Sequence, residues 1–83
     1  MATISVYSSA NCPYCVQAKK LLESKGAAYT EIRVDLDSQQ REHMMQRSGR
    51  RTVPQIFIND QHIGGCDDLM ALNAKGELDK LLK

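Results

Sequence analysis

The sequence predicts an α/β fold in which a mixed four-stranded sheet is flanked by helices. Two observations predict it: short β-prone runs alternate with amphipathic stretches, and only a tight polar turn separates the last two runs. The predicted order is strand, helix, strand, helix, strand, strand, helix, with a C-terminal helical segment. A strand–helix–strand start implies a parallel pair with a right-handed crossover, and the late hairpin supplies an antiparallel pair.

The first part of the chain predicts two strands and the helix between them. Residues 3–7 alternate apolar and polar side chains and predict a strand. Pro13 suits the first position of the helix that follows, because its missing N–H has no helical partner there, and Gly26 ends that helix. Residues 28–35 predict the second strand.

The second helix is bounded by its own sequence signals. Asp37 or Ser38 is expected to cap its N-terminus, and Gly49 is its natural end. The helical spacing turns Met44 inward and leaves Arg47 nearer to solvent.

The remaining residues predict a hairpin and two further helical segments. Residues 55–58 give the strongest strand in the chain, and a polar turn leads into residues 61–63. After two glycines, Asp67 or Asp68 is expected to cap a third helix, and a last amphipathic turn follows Gly76.

Composition predicts one small domain spanning residues 1–83. The chain is 42% hydrophobic and carries a formal charge of +1, so no strong field steers it to nucleic acid or to a membrane surface. Residues 1–8 lack a basic start and a long apolar run, which argues against a secretory signal. An odd count of 3 cysteines also favours a reducing, cytoplasmic location. We expect a monomer with small or transient partners.

A Cys-x-x-Cys pair lies between the end of the first predicted strand and the first turn of the first predicted helix. The open N–H groups and positive dipole end of that helix stabilise a thiolate at Cys12. Such placement lowers a cysteine pKa from about 8.5 into a range of roughly 3.5–7.5. Cys15, one turn further along, can resolve a mixed disulfide on Cys12 by forming an internal bond.

Two other interpretations of the cysteines stay open. Cys12, Cys15, His62 and Cys66 supply four candidate zinc ligands, although His62 is expected to face solvent. Pro13 at a helix start suits a redox turn better than a zinc knuckle, so no metal is expected. The third interpretation is that the pair only packs within the helix, but cysteines at a helix start are poorly placed to be inert.

Three motifs resemble the glutaredoxin family, and the resemblance covers essentially the whole chain. They are Cys12-Pro13-Tyr14-Cys15, then Thr52-Val53-Pro54, then Gly64-Gly65-Cys66-Asp67-Asp68. The resemblance implies a thioredoxin-like fold of the dithiol, single-domain bacterial type. It also implies reduction of protein–glutathione mixed disulfides and protein disulfides, with glutathione as co-substrate and no permanently bound cofactor.

The family also implies which residues contact glutathione. Pro54 is expected to be cis and to face Cys12, so that the Val53 backbone pairs with the tripeptide. The Asp67 and Asp68 backbone N–H groups bind the γ-glutamyl carboxylate, and the Asp68 side chain binds the α-ammonium group. The full implied set is Tyr14, Arg41, Thr52, Val53, Pro54, Gly65, Cys66, Asp67 and Asp68.

Several of these residues also have a plainer interpretation. Arg41, implied to bind the glycyl carboxylate, would otherwise be a solvated charge, and Tyr14, implied to flank the sulfur, an exposed aromatic. Pro54 could be a trans residue that opens a strand, and Asp67 and Asp68 could serve only as helix caps.

The sequence departs from the family pattern at one point, and two further questions stay open. Ser9 stands where many glutaredoxins have a lysine, which removes one source of thiolate stabilisation and of attraction for a glutathione carboxylate, and Arg50 and Arg51 are the candidates to compensate by proximity. Cys66 is interpreted first as an inert small hydrophobe and second as a third redox thiol. An iron–sulfur carrier is a further alternative, but cluster-binding members usually have glycine or serine in place of Pro13 and Cys15.

Overall fold

The structure is a computed structural model that describes residues 2–82. Its elements are β1 Ile4–Ser8, α1 Pro13–Ser24, β2 Thr30–Arg33, α2 Ser38–Ser48, β3 Gln55–Ile58, β4 Gln61–Gly64, α3 Cys66–Ala74 and α4 Leu78–Leu82. This order confirms the predicted one. Among residues 2–82, no helix combines the length and the apolar character needed to cross a bilayer.

The four strands form one mixed sheet in the order β2-β1-β3-β4. β1 pairs in parallel with β2 and antiparallel with β3, and β3 pairs antiparallel with β4. The two central strands, β1 and β3, therefore each have a hydrogen-bonded strand along both edges. Their polar residues Ser8 and Gln55 are both fully buried, so each needs a hydrogen-bond partner inside the protein.

Apolar side chains fill both faces of the sheet. On one face, α1, α3 and α4 pack against the sheet through Ile4, Val6, Ala18, Leu22, Ile56, Ile58, Cys66, Leu69 and Leu78. On the other face, α2 packs through Met44 against Tyr7, Val34 and Phe57. The alternation of side chains along β1 and β3 produces these two cores, because successive residues of a strand point to opposite faces.

The ends of α1 and α2 follow the predicted signals. Pro13 occupies the first turn of α1. The Asp37 side chain is the cap of α2, since it accepts hydrogen bonds from the backbone N–H groups of Gln39 and Gln40 at 3.0 and 3.4 Å. Gly49 ends α2 in the left-handed region, with φ at 71°, where glycine carries no Cβ penalty.

The prediction that Asp67 or Asp68 caps α3 is wrong. The N-cap is Gly65, which lies outside the helix, and Asp68 is the third helical residue. The Asp68 carboxylate reaches back and accepts a hydrogen bond from the Gly65 N–H at 3.0 Å. It thus serves one of the open amides of the helix from inside the first turn rather than from the cap position.

Two side chains expected to face solvent are instead half-buried. The His62 ring lies against the Phe57 ring, with 5.0 Å between centroids. The Arg47 guanidinium lies over the Phe57 ring, with its Cζ atom 4.0 Å from the ring centroid. It also donates a hydrogen bond to the Tyr7 hydroxyl at 2.9 Å. Both depart from the prediction because an aromatic side chain on β3 gives them a surface to pack against.

The second strand is shorter than the predicted residues 28–35, since only Thr30–Arg33 pairs with β1.

Candidate active site

The paired cysteines lie at the first turn of α1. Cys12 is the N-cap residue, with extended backbone at φ −113° and ψ 100°. Its Sγ atom accepts a hydrogen bond from the Cys15 backbone N–H at 3.2 Å, which is the predicted position for stabilising a thiolate. Cys12 and Cys15 form a disulfide across a Cα–Cα distance of 5.2 Å.

The two sulfurs differ in their access to solvent. Cys15 is only 1% exposed, whereas Cys12 is partly exposed. An incoming disulfide therefore meets Cys12 first, and Cys15 can act only on a bond already formed at Cys12. This asymmetry matches an attacking thiol and a resolving thiol.

The loop that leads into the cysteine pair is anchored to the end of β2. The Asp35 carboxylate accepts a hydrogen bond from the Ala10 backbone N–H at 3.3 Å. Arg33 donates to both oxygens of Asp35, at 2.8 and 2.6 Å. These bonds, chiefly the pair with Arg33, lower the pKa of Asp35 to about 2, so the anchor is ionised at neutral pH.

A second segment, the backbone that leads into β3, lies beside Cys12. The Val53–Pro54 peptide bond is cis, as the family resemblance implied. The Val53 carbonyl oxygen lies 3.8 Å from Cys12 Sγ, so the backbone just before β3 borders the reactive sulfur.

An open groove of about 270 Å³ runs from the cysteine turn to the start of α3. It is lined by Tyr14, Arg50, Thr52, Val53, Pro54, Gly65, Cys66, Asp67 and Asp68. Of the residues that the resemblance assigned to glutathione, the groove brings together all except Arg41. Arg41 lies on an exposed part of α2 and does not line the groove.

Arg50 lines the groove, although the sequence analysis did not place it among the binding residues. Its Nη1 atom donates to the Asp68 carboxylate at 3.0 Å. The Gly65 N–H first, and Arg50 second, hold the pKa of Asp68 below its usual range. The sequence indicated Arg50 only as a charge that could replace the missing lysine, and not as a partner of Asp68.

Cys66 contributes a buried wall to the groove. Its side chain is 5% exposed, and Sγ lies 3.9 Å from the Gln17 side-chain oxygen. Burial, with a smaller effect from Asp67, raises the pKa of the Cys66 thiol. A thiol with a raised pKa is a poor nucleophile, which favours the inert interpretation over a third redox role.

The candidate zinc ligands do not form a metal site. Within residues 2–82, no group of three or more histidine, cysteine, aspartate or glutamate side chains has a metal-binding arrangement. His62 directs its Nε2 atom to the Gln55 side-chain oxygen at 2.8 Å. The two cysteines of the pair are bonded to each other.

The chain is similar to known proteins in both sequence and structure. The family model described as Glutaredoxin matches residues 4–63. Glutaredoxin 3 of Escherichia coli strain K12 is 58% identical, with all of both chains covered. A buckwheat glutaredoxin–glutathione complex superposes with a TM-score of 0.89 at 38% identity, covering 98% of this chain and 76% of that one. A dithiolic glutaredoxin of Trypanosoma brucei brucei gives 0.89 at 44% identity, covering 98% and 87%.

Proposed function

Because the chain belongs to the glutaredoxin family, has its thioredoxin-like fold and is a thiol–disulfide oxidoreductase, we propose that it uses glutathione as its reductant. The proposed substrates are protein–glutathione mixed disulfides and protein disulfides. The observation that carries the proposal is the groove itself, which runs from Tyr14 past Val53 to the N-terminus of α3, with the Val53 carbonyl oxygen 3.8 Å from Cys12 Sγ. A short extended peptide with a thiol near its middle and a carboxylate at one end fits such a groove.

The charges along the groove suit the γ-glutamyl end of glutathione. The open N–H groups of α3 at Asp67 and Asp68 attract its carboxylate, and the ionised Asp68 side chain attracts its ammonium group. The buckwheat relative whose structure contains glutathione supports the same class of ligand. For the glycyl carboxylate, Arg41 remains the predicted partner, although it lies outside the groove.

The proposed reaction is thiol–disulfide exchange at Cys12. Its thiolate attacks the glutathione sulfur of a mixed disulfide, the old S–S bond breaks, and the substrate protein leaves as a thiolate that takes up a proton. A second glutathione thiolate then attacks the new bond. This step releases glutathione disulfide and restores the Cys12 thiolate, so each turnover consumes one free glutathione, and the glutathionyl group of the substrate forms the other half of the released disulfide.

Protein disulfides take a different second step. Cys12 attacks one sulfur of the substrate and forms a mixed disulfide between the two proteins. The Cys15 thiolate then attacks Cys12 Sγ, which releases the reduced substrate and leaves the Cys12–Cys15 disulfide. Glutathione is the proposed reductant of that disulfide.

We also propose that the chain acts as a monomer and a single domain in the reducing cytoplasm. One chain supplies both walls of the groove, through Tyr14 on α1 and Asp68 on α3. The odd number of 3 cysteines supports a reducing compartment.

Mass spectrometry after treatment with glutathione disulfide tests the proposal. Cys15→Ser is expected to hold one glutathione on Cys12 and to keep deglutathionylating activity, because the glutathione route does not need the resolving thiol. Cys12→Ser is expected to abolish both. Adding Cys66→Ser to Cys15→Ser is expected to leave the glutathione adduct in place, which assigns the adduct to Cys12. Equal loss of activity in Cys12→Ser and Cys15→Ser would instead indicate an obligatory dithiol route.

A further inference from the structure

Gln55 is a buried polar residue with a fully used side chain. It lies on the central strand β3 and is 0% exposed. Its Nε2 atom donates to the Thr52 carbonyl oxygen at 2.9 Å and to the Thr52 hydroxyl at 3.2 Å. Its Oε1 atom lies 2.8 Å from His62 Nε2. A buried amide is costly unless every polar atom is paired, and here each one is.

This network fixes the direction of the Gln55 amide. Because the Thr52 carbonyl can only accept, the Gln55 NH₂ group must face it, and Oε1 must face His62. His62 therefore carries a hydrogen on Nε2 and donates it to Gln55. The His62 ring is held in turn by Phe57, with 5.0 Å between the ring centroids.

A single peptide group connects the Gln55–Thr52 hydrogen bond to the reactive site. The carbonyl of Thr52 and the N–H of Val53 belong to the same planar unit, which is trans because the cis bond lies one position later, between Val53 and Pro54. In a trans peptide the C=O and N–H point in opposite directions. A side chain that holds the Thr52 oxygen therefore directs the Val53 N–H to the opposite side of the peptide plane, away from Gln55. Val53 is itself one of the residues that line the groove.

We propose that Gln55, oriented by His62, is a positioning residue that aims the Val53 N–H at the peptide backbone of the substrate. This inference rests on the proposed function, because it assumes that glutathione pairs with Val53 beside Cys12. Neither Gln55 nor His62 touches the substrate. They act on the Val53 N–H. The carbonyl oxygen of the same residue lies 3.8 Å from Cys12 Sγ.

Gln55→Met tests the inference directly, since methionine has a similar length and offers no hydrogen to the Thr52 carbonyl. The KM for a glutathionylated peptide is expected to rise about tenfold, the effect of roughly one hydrogen bond, while kcat changes little. His62→Phe, which keeps an aromatic ring on Phe57 but removes the donor, is expected to raise the KM in the same direction by a smaller factor. His62→Gln, which can still donate to Gln55, is expected to recover most of the wild-type KM.

A second substrate separates positioning from a general loss of structure. Cystamine is a disulfide without peptide groups, so it cannot use the Val53 N–H. Its single-turnover rate with the Cys12 thiolate is expected to be the same in wild type, Gln55→Met and His62→Phe. If the cystamine rate falls together with activity on the glutathionylated peptide, or if neither parameter changes in the two variants, the inference is wrong.

The same measurements distinguish this inference from the proposed function. If wild type itself shows no preference for the glutathionylated peptide over cystamine, the proposed function fails. If wild type shows that preference and both variants retain it, only the role of Gln55 fails. His62→Phe carries the test if Gln55→Met does not fold, because the His62 side chain is only half-buried at the sheet edge.

Discussion

Arg50 and Asp68 form an ion pair at the groove, with 3.0 Å between Nη1 and the carboxylate oxygen. Both side chains are about half exposed, at 49% and 46%, so the pair contributes little to stability, about 1 kcal/mol or less. Its consequence is functional: the carboxylate proposed to bind the α-ammonium group of glutathione is already occupied by a cation. The proposed contact with the ammonium group therefore competes with Arg50 for the Asp68 carboxylate.

Asp68→Asn is predicted to raise the KM for a glutathionylated peptide by about tenfold or more, the effect of losing a charge-assisted hydrogen bond. Steady-state kinetics with a peptide carrying desamino-glutathione provide the check, since that substrate has no ammonium group. The variant and wild type are expected to use the desamino substrate equally well.

Asp67→Asn is the matched control for Asp68→Asn. Asp67 is exposed and offers only its backbone N–H to the substrate in the proposed complex, so its substitution is expected to leave the KM close to the wild-type value. Equal effects of the two substitutions would contradict the specific role of the Asp68 carboxylate.

Gly64→Ala is predicted to lower the free energy of unfolding by about 3 kcal/mol. Gly64 has φ at 122°, a region that other residues rarely adopt, and a Cβ there would overlap the Asp68 carboxylate. Gly76→Ala is the control, because its φ is 74° with open space around the added carbon, and it should cost only about 1 kcal/mol. Urea unfolding of both variants measures the difference; equal costs would show that the contact with Asp68 carries no energy.

The Asp35 anchor is predicted to lose its effect in acid. Its pKa is about 2 in the folded chain against an ordinary value of 3.8, so the unfolded chain binds the proton more readily. The stabilisation is therefore present above about pH 4 and disappears as the pH falls through 2. Thermal unfolding of wild type and Asp35→Ala across this range should show midpoints that differ near neutral pH and converge in acid. A constant difference throughout the range would contradict the ionised anchor.

The pKa of His62 is predicted to respond to charges at the groove. Burial chiefly, and Arg50 next, lower this pKa below its usual 6.5, while Asp68 opposes them. Arg50→Gln should therefore raise the pKa of His62, and Asp68→Asn should lower it further. An NMR titration of the His62 ring protons measures both shifts, and an unchanged pKa of His62 in both variants would show that the groove charges do not reach the ring.

The sequence predicted those parts of the fold that depend on local signals. Pro13 begins α1, Asp37 caps α2 and Gly49 ends it, because each role is set by the backbone preference of one residue. The cap of α3 was predicted incorrectly, since both Asp68 and a glycine suit a helix start. Only the folded backbone shows that Gly65 takes the extended cap conformation and Asp68 reaches back from within the helix.

The parts that were not predicted depend on contacts between distant residues. From the sequence, His62 and Arg47 are expected to face solvent, but in the fold both side chains pack against the Phe57 ring. Arg50 enters the groove because the loop after α2 carries it to Asp68 on α3, a separation of 18 residues. No periodicity or turn signal encodes such a pairing.

The proposed chemistry requires that the N-terminus of α1 hold Cys12 as a thiolate at neutral pH, and titration of that thiol is the decisive measurement. In a variant carrying Cys15→Ser and Cys66→Ser, the remaining cysteine can be followed by its thiolate absorbance as the pH changes. We expect a pKa for Cys12 in the range of roughly 3.5–7.5. A pKa at or above the ordinary value of about 8.5 would contradict it.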